Sequence, residues 1–203
     1  MKLTLLRHGE TLANRERLVL GRSDVQLTNL GITQAIKAAE KVSQFPISAI
    51  YSSPFYRTIQ TASYITKETG IPSIPLDGLK EMDSGEMEGM KMDEMQIKYP
   101  DYIKNWNVDA SNARPPAGDT MGEVHQRAWN SVILLSASHA SEHILAVTHL
   151  FPIQGILCRI HGLHSNHYKE FNIDLGSLTT ILVKPDNHSM ININDTSHLN
   201  IEQ

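Results

Sequence analysis

The sequence predicts an α/β fold, a three-layer α/β/α sandwich with a mostly parallel central sheet and a helical insertion over one sheet edge. Three observations predict it. Short apolar strand patterns alternate with longer helical ones. Polar residues stand directly at the ends of the strand patterns, where open α/β sheets gather their ligands. A Met-rich stretch, 87–117, fits poorly as core. The chain has 203 residues, 40% hydrophobic and 20% charged, enough for one domain with a proper core. Residues 1–203 are therefore expected to form a single domain with an insertion or lid at about 87–117.

Taken in order, Leu3–Leu6 reads as a buried strand broken at Gly9. Thr28 and Gly31 open a helix to about Ser43, which Pro46 helps to end. Ile47–Tyr51 is the second strand. Pro54 opens a helix to about Glu68, stopped by Gly70. The 87–117 stretch carries Trp106, ends in Arg114-Pro115-Pro116-Ala117-Gly118, and reads as mostly helical. Thr120-Met121-Gly122-Glu123 has capping-box spacing ahead of a long helix to about Ser138. Ile144–Val147 is a strand, and Pro152 marks the first turn of a helix that ends at Gly162. Leu178–Val183 and Met190–Ile193 complete the strands.

Composition narrows the partners. The formal net charge is −4, which gives no support for a nucleic-acid or anionic-membrane partner. An anion site must then be built from a few local cations. The single cysteine, Cys158, rules out an intrachain disulfide and a Cys-based zinc site, and fits a reducing cytoplasm. Met1-Lys2-Leu3 runs straight into a strand pattern, with no signal peptide and no span long enough for a bilayer. The expected location is cytoplasmic.

Four segments carry chemistry. In Leu6-Arg7-His8-Gly9-Glu10-Thr11 a cation and an imidazole leave the first strand together. Ser52-Ser53-Pro54-Phe55-Tyr56-Arg57 puts a guanidinium in the first turn after the second strand, where helix N–H groups also attract anions. Leu79-Lys80-Glu81-Met82-Asp83-Ser84-Gly85 offers two carboxylates, and Thr148-His149 closes a later strand. Singly, each has an ordinary explanation: a solvated Arg, a structural His, a loop carboxylate. Two Arg and two His at strand ends of one sheet point instead to a shared anion site. His161, His164 and His167 are spaced by three across Gly162, which suits solvated loop histidines better than metal ligands. Cys158, between Leu157 and Ile160, reads as core. Met82, Met87, Met90, Met92 and Met95 read as packing, or as an adaptable wall for an apolar substrate.

Together these motifs, with Asn14, Leu27-Thr28…Gly31, Gln60-Thr61-Ala62 and Gly118-Asp119-Thr120, resemble the histidine phosphatase superfamily, the phosphoglycerate mutase-like fold. Asn194-Asp195-Thr196-Ser197-His198-Leu199 resembles the tail of its bacterial broad-specificity phosphatase branch. The resemblance implies a metal-independent phosphatase without cofactor, acting on small phosphomonoesters through a phosphohistidine. It implies His8 as nucleophile, Arg7, Arg57 and His149 as holders of the phosphoryl oxygens, and Glu81 as proton donor. Asn14, Gly21, Leu150 and His198 are the implied substrate-facing positions. The physical case runs in parallel: guanidinium forks suit phosphate, and neighbouring cations favour a neutral, nucleophilic imidazole.

Two alternatives stand beside this reading. Cofactor-dependent phosphoglycerate mutases of the family carry Glu-Arg-His-Tyr-Gly after the acid region, whereas Glu81 is followed by Met82-Asp83-Ser84-Gly85. A non-catalytic phospho-ligand-binding relative would be expected to lose one of the site residues, and all are present. The family's phosphoserine phosphatases place a His three residues after the acid, where this chain has Ser84. The family also has Gly after the second His, where this chain has Leu150; if the residue-150 N–H faces phosphate, only the side chain's bulk is new. The expected partners are a small phosphorylated metabolite and product phosphate, with no nucleic acid or membrane; a homo-oligomer stays open.

Overall fold

Strand β1 (Lys2–Arg7) is buried on both faces. Leu3 and Leu5 point into one core cluster and Leu6 into another. A strand covered on both sides belongs at the centre of a parallel α/β sheet. The computed structural model describes residues 1–185 and 187–200 and places it there. The sheet order is β3-β2-β4-β1-β5-β6, with β2 Ile47–Ser52, β3 Ser73–Pro75, β4 His143–Thr148, β5 Leu178–Val183 and β6 His188–Asp195. Strands β1 to β4 pair in parallel; β5 runs antiparallel to β1 and forms a hairpin with β6. The sheet is therefore mixed.

Besides the short α1 (Leu12–Arg15), the early helices are α2 (Asn29–Val42) and α3 (Tyr56–Thr69). They cover one face through Ala38, Val42, Ala62 and Ile65. Thr28 caps α2 by accepting the Gly31 N–H, and Gly70 at φ +75 ends α3. The later helices α6 (Met121–Ser138) and α7 (Leu150–Ile160) cover the other face through Val132, Leu135, Ile153 and Leu157. Cys158 is buried in that layer. Between the layers' two halves, residues 87–117 hold α4 (Met92–Lys98) and α5 (Pro100–Asp109).

The structure adds one edge strand and moves two helix starts. The added strand is β3, where Pro75 has no N–H to give to a ladder, which suits a strand at the sheet edge. Helix α3 begins two residues after Pro54. Helix α7 begins two residues before Pro152, whose missing N–H still falls among the unpaired donors of the first turn. Among the described residues no helix is long and apolar enough to cross a membrane.

Candidate active site

Strand register assembles the site. Arg7 lies opposite Thr148, and Ser52 opposite Val147. The next residues, His8, Ser53 and His149, leave the carboxyl edge side by side. The ladder continues one step further, with His8 N–H donating to Thr148 O (3.1 Å) and Ser53 N–H to Val147 O (2.9 Å). Gly9 is required because a Cβ there would collide with the Gly31 carbonyl, so α2 packs backbone to backbone on the turn.

His8 is buried, 3% exposed. Its Nδ1 lies 2.8 Å from the Gly9 carbonyl oxygen. A carbonyl only accepts, so Nδ1 carries the proton and Nε2 keeps its lone pair. Burial first, then the Arg57 and Arg7 charges, hold the imidazole well below its ordinary pKa. The ring is neutral at physiological pH, the state in which an imidazole nitrogen can act as a nucleophile.

Arg57 and His149 lie beneath the sheet edge, both fully buried. Arg57 donates from Nε to His149 Nδ1 (3.2 Å), from Nη1 to Ser23 O (3.0 Å) and from Nη2 to Gly21 O (2.7 Å). His149 Nε2 meets Ser53 Oγ at 2.8 Å, and the His149 ring centroid is 5.2 Å from that of His8. Burial lowers the Arg57 pKa to about 10, which leaves it charged at neutral pH. Arg7 donates from Nη1 to Ile173 O (2.6 Å); its Nε is buried without a partner among the described residues.

Glu81 is buried, 7% exposed. Its Oε1 accepts from Met82 N–H (2.9 Å) and its Oε2 from Leu150 N–H (3.1 Å). The residue-150 N–H thus faces the acid rather than a phosphate site. Burial raises the carboxyl pKa, opposed by the Met82 N–H and by Arg57 and Arg7. A raised carboxyl is the form that can donate a proton.

Arg7, His8, Asn14 and Glu81 open onto one cavity of about 460 Å³. Asn14 Oδ1 accepts from the Thr11 N–H (3.1 Å) and from the Thr11 hydroxyl (2.8 Å). The remaining walls are mostly apolar: Leu18, Val19 and Leu20, four methionines (82, 87, 92 and 95), Ile103, Leu150 and Phe151. Tyr102, Trp106 and Tyr168 add rings, with Trp106 Nε1–H donating to Tyr168 OH at 3.0 Å. Helices α4 and α5 supply much of this wall.

The implied substrate-facing positions divide. Asn14 and Leu150 line the cavity. Gly21 does not; its carbonyl holds Arg57 from behind. His198 does not either; its Nε2 bonds the Gly176 carbonyl (3.0 Å), behind the end of β1. Arg57 and His149 are fully buried and do not line the cavity. His161, His164 and His167 are exposed, as expected of loop histidines. Sequence reasoning missed Ser53 and Arg127. Ser53 stood in plain view beside Pro54, but nothing local shows that it meets His149.

This fold and edge define a class, an α/β protein that gathers two guanidiniums, two neutral imidazoles and a protonatable carboxyl at the strand ends. The description "Histidine phosphatase superfamily (branch 1)" matches residues 3–196, and the chain belongs to that family. Phosphoserine phosphatase 1 of Hydrogenobacter thermophilus is 27% identical over 98% of this chain and 94% of its own. A Yersinia pestis protein named as a probable phosphoglycerate mutase, GpmB, is 29% identical over 89% of this chain and 84% of its own. The solved structure of Bacillus stearothermophilus YhfR superposes with a TM-score of 0.92 at 27% identity, covering 98% of this chain and 99% of that one. The chain is a phosphoric monoester hydrolase of this family.

Proposed function

We propose that the chain hydrolyses small phosphomonoesters with apolar leaving groups, without a metal, through a phosphohistidine at His8. The observation that carries this is the Nδ1–H of His8 held on the Gly9 carbonyl, which leaves Nε2 toward a cavity shared with Glu81. In the first step Nε2 attacks phosphorus and the P–O bond to the leaving group breaks. Glu81 protonates the departing oxygen. In the second, the Glu81 carboxylate takes a proton from water, water oxygen bonds to phosphorus, and the P–N bond breaks to release phosphate. Arg7 and the nearby Arg57 supply the positive charge that phosphoryl transfer requires, and the neutral His149 helps to hold Arg57 in place.

The leaving-group preference rests on the walls. The lining is mostly apolar and, among the described residues, carries Lys169 as its one cation apart from Arg7, which favours an apolar leaving group over the carboxylate of a phosphoglycerate or phosphoserine. That argues for hydrolysis over mutase chemistry. The lone cysteine, with no intrachain partner, supports a cytoplasmic setting.

The test is a panel of aryl, alkyl and carboxylated phosphomonoesters assayed with EDTA, beside His8→Ala and acid-labile phosphate trapping. The expected result is hydrolysis insensitive to EDTA, trapped phosphate on the wild type, and none on His8→Ala. Undiminished turnover by His8→Ala would overturn the mechanism. Interconversion of phosphoglycerates with little phosphate release would establish the mutase.

A further inference from the structure

The loop that carries Glu81 is gripped from outside the cavity. Arg127, in the second turn of α6, donates from Nη2 to two main-chain carbonyls, Lys80 O (3.1 Å) and Glu81 O (2.8 Å). Its Nη1 donates to Asp119 Oδ2 at 3.1 Å. Asp119 is itself laced to the loop: Asp83 N–H donates to Asp119 Oδ2 (3.2 Å), and Asp119 N–H to Asp83 O (2.9 Å). Behind the loop, a Cβ on Gly78 would run into Ser131 Oγ on the same helix, so loop and α6 lie flush.

The bond to Glu81 O differs in kind from the others. The Glu81 carbonyl and the Met82 N–H belong to one planar peptide unit. That N–H is one of the two donors holding the Glu81 carboxyl. A cation on the carbonyl end therefore fixes the plane whose other end fixes the acid. It also polarises the unit and strengthens the N–H as a donor.

We propose that Arg127 is a positioning residue for the proton donor, aiming the Glu81 carboxyl through the 81–82 peptide plane. The proposal rests on the reading of Glu81 as the acid. A misaimed acid costs most where the leaving oxygen needs a proton and least where it does not. An arginine that merely braced α6 against the loop would slow all esters alike.

The experiment compares kcat/KM on 2-phenylethyl phosphate and on p-nitrophenyl phosphate for the wild type, Glu81→Gln, Arg127→Met, Arg127→Lys and the double variant Glu81→Gln/Arg127→Met. Arg127→Met is expected to lose about tenfold more on the alkyl ester than on the aryl one. Arg127→Lys, which keeps a cation, is expected to recover part of that difference. The double variant is expected to discriminate no further than Glu81→Gln alone, because both changes act on one proton transfer. Equal losses by Arg127→Met on both esters, with Glu81→Gln still discriminating, would overturn the proposal and spare the acid. Equal losses by Glu81→Gln would remove the acid assignment itself. If Arg127→Met does not fold, as judged by circular dichroism, Arg127→Lys carries the test: a smaller discrimination of the same sign supports the proposal and none overturns it.

Discussion

Arg57 donates from Nε to His149 Nδ1 across 3.2 Å, and that bond sets the protonation of the second imidazole. A guanidinium only donates, so Nδ1 is bare and the ring proton sits on Nε2, which donates to Ser53 Oγ at 2.8 Å. His149 is thus neutral with both nitrogens engaged. Three of the five guanidinium N–H groups of Arg57 are spent on His149, Ser23 and Gly21, which leaves two outside these bonds. The pair is a preorganised floor under His8, and its charge helps to keep that imidazole unprotonated.

Ser53→Ala tests this floor. It leaves the buried His149 N–H without its acceptor, at a cost of about 1–3 kcal/mol in stability. Urea denaturation should show the loss. Turnover should fall far less than in His149→Ala, since Arg57 still grips the ring from Nδ1. Unchanged stability would mean that the Ser53 bond contributes nothing.

The pH dependence should separate two esters. In the proposed mechanism Glu81 must be protonated to serve a poor leaving group, and its pKa is raised by burial. Hydrolysis of an alkyl ester should therefore fall as pH climbs through that raised value. p-Nitrophenyl phosphate, whose leaving group needs less help, should hold its rate further into alkali. His8 protonates only well below 6.5, so its loss belongs to the acid side. Profiles of kcat/KM for both esters check this. Superimposed alkaline limbs would take the limb away from Glu81.

Leu150→Gly should change which esters fit while sparing the chemistry. Leu150 lines the cavity, and its main-chain N–H, which glycine keeps, is what holds Glu81. KM should rise for phenyl phosphate, which loses a wall, relative to 1-naphthyl phosphate, which gains room. Lost burial and added chain freedom should cost on the order of 1–2 kcal/mol in stability. A uniform fall in kcat on both esters would show that the acid had moved instead.

The sequence revealed what is local or periodic. Apolar runs covered on both faces placed β1 and β4, and polar residues at their ends placed Arg7, His8 and His149 on one edge. It hid what depends on the third dimension. Whether a strand-end imidazole faces the cavity or lies beneath it turns on neighbours far along the chain: Ser53 is 96 residues from His149, and Arg57 is 92. His198 sits in a recognisable motif and Gly21 is an implied substrate-facing position, yet both act through carbonyl bonds, which a motif does not display. The Leu150 N–H went to Glu81 because the acid loop passes over the start of α7. Arg127 lay on a helix face where a solvated arginine is the ordinary reading. The methionines of 82–95 were legible as a candidate wall, but Tyr102, Trp106 and Tyr168 join them only through the packing of α5 on the segment after α7.

Buried histidines away from the site should make the fold acid-labile. His125 is 5% exposed, with Nδ1 on Ser165 Oγ at 2.9 Å, and burial lowers its pKa to about 4. His143, whose Nε2 meets Thr4 Oγ1 at 2.9 Å, is likewise lowered to about 4. In the unfolded chain such rings protonate near 6.5. Between pH 6.5 and about 4 the unfolded state therefore binds more protons than the folded one, and stability falls as pH falls. The slope is about 1.4 kcal/mol per pH unit for each fully displaced ring, and it flattens once the folded-state ring also protonates. Urea midpoints at pH 7.5, 6 and 4.5 measure it. His125→Gln, which keeps a hydrogen-bonding side chain but cannot titrate, should show a shallower decline across that window. A decline as steep as that of the wild type would show that His125 titrates normally in the fold.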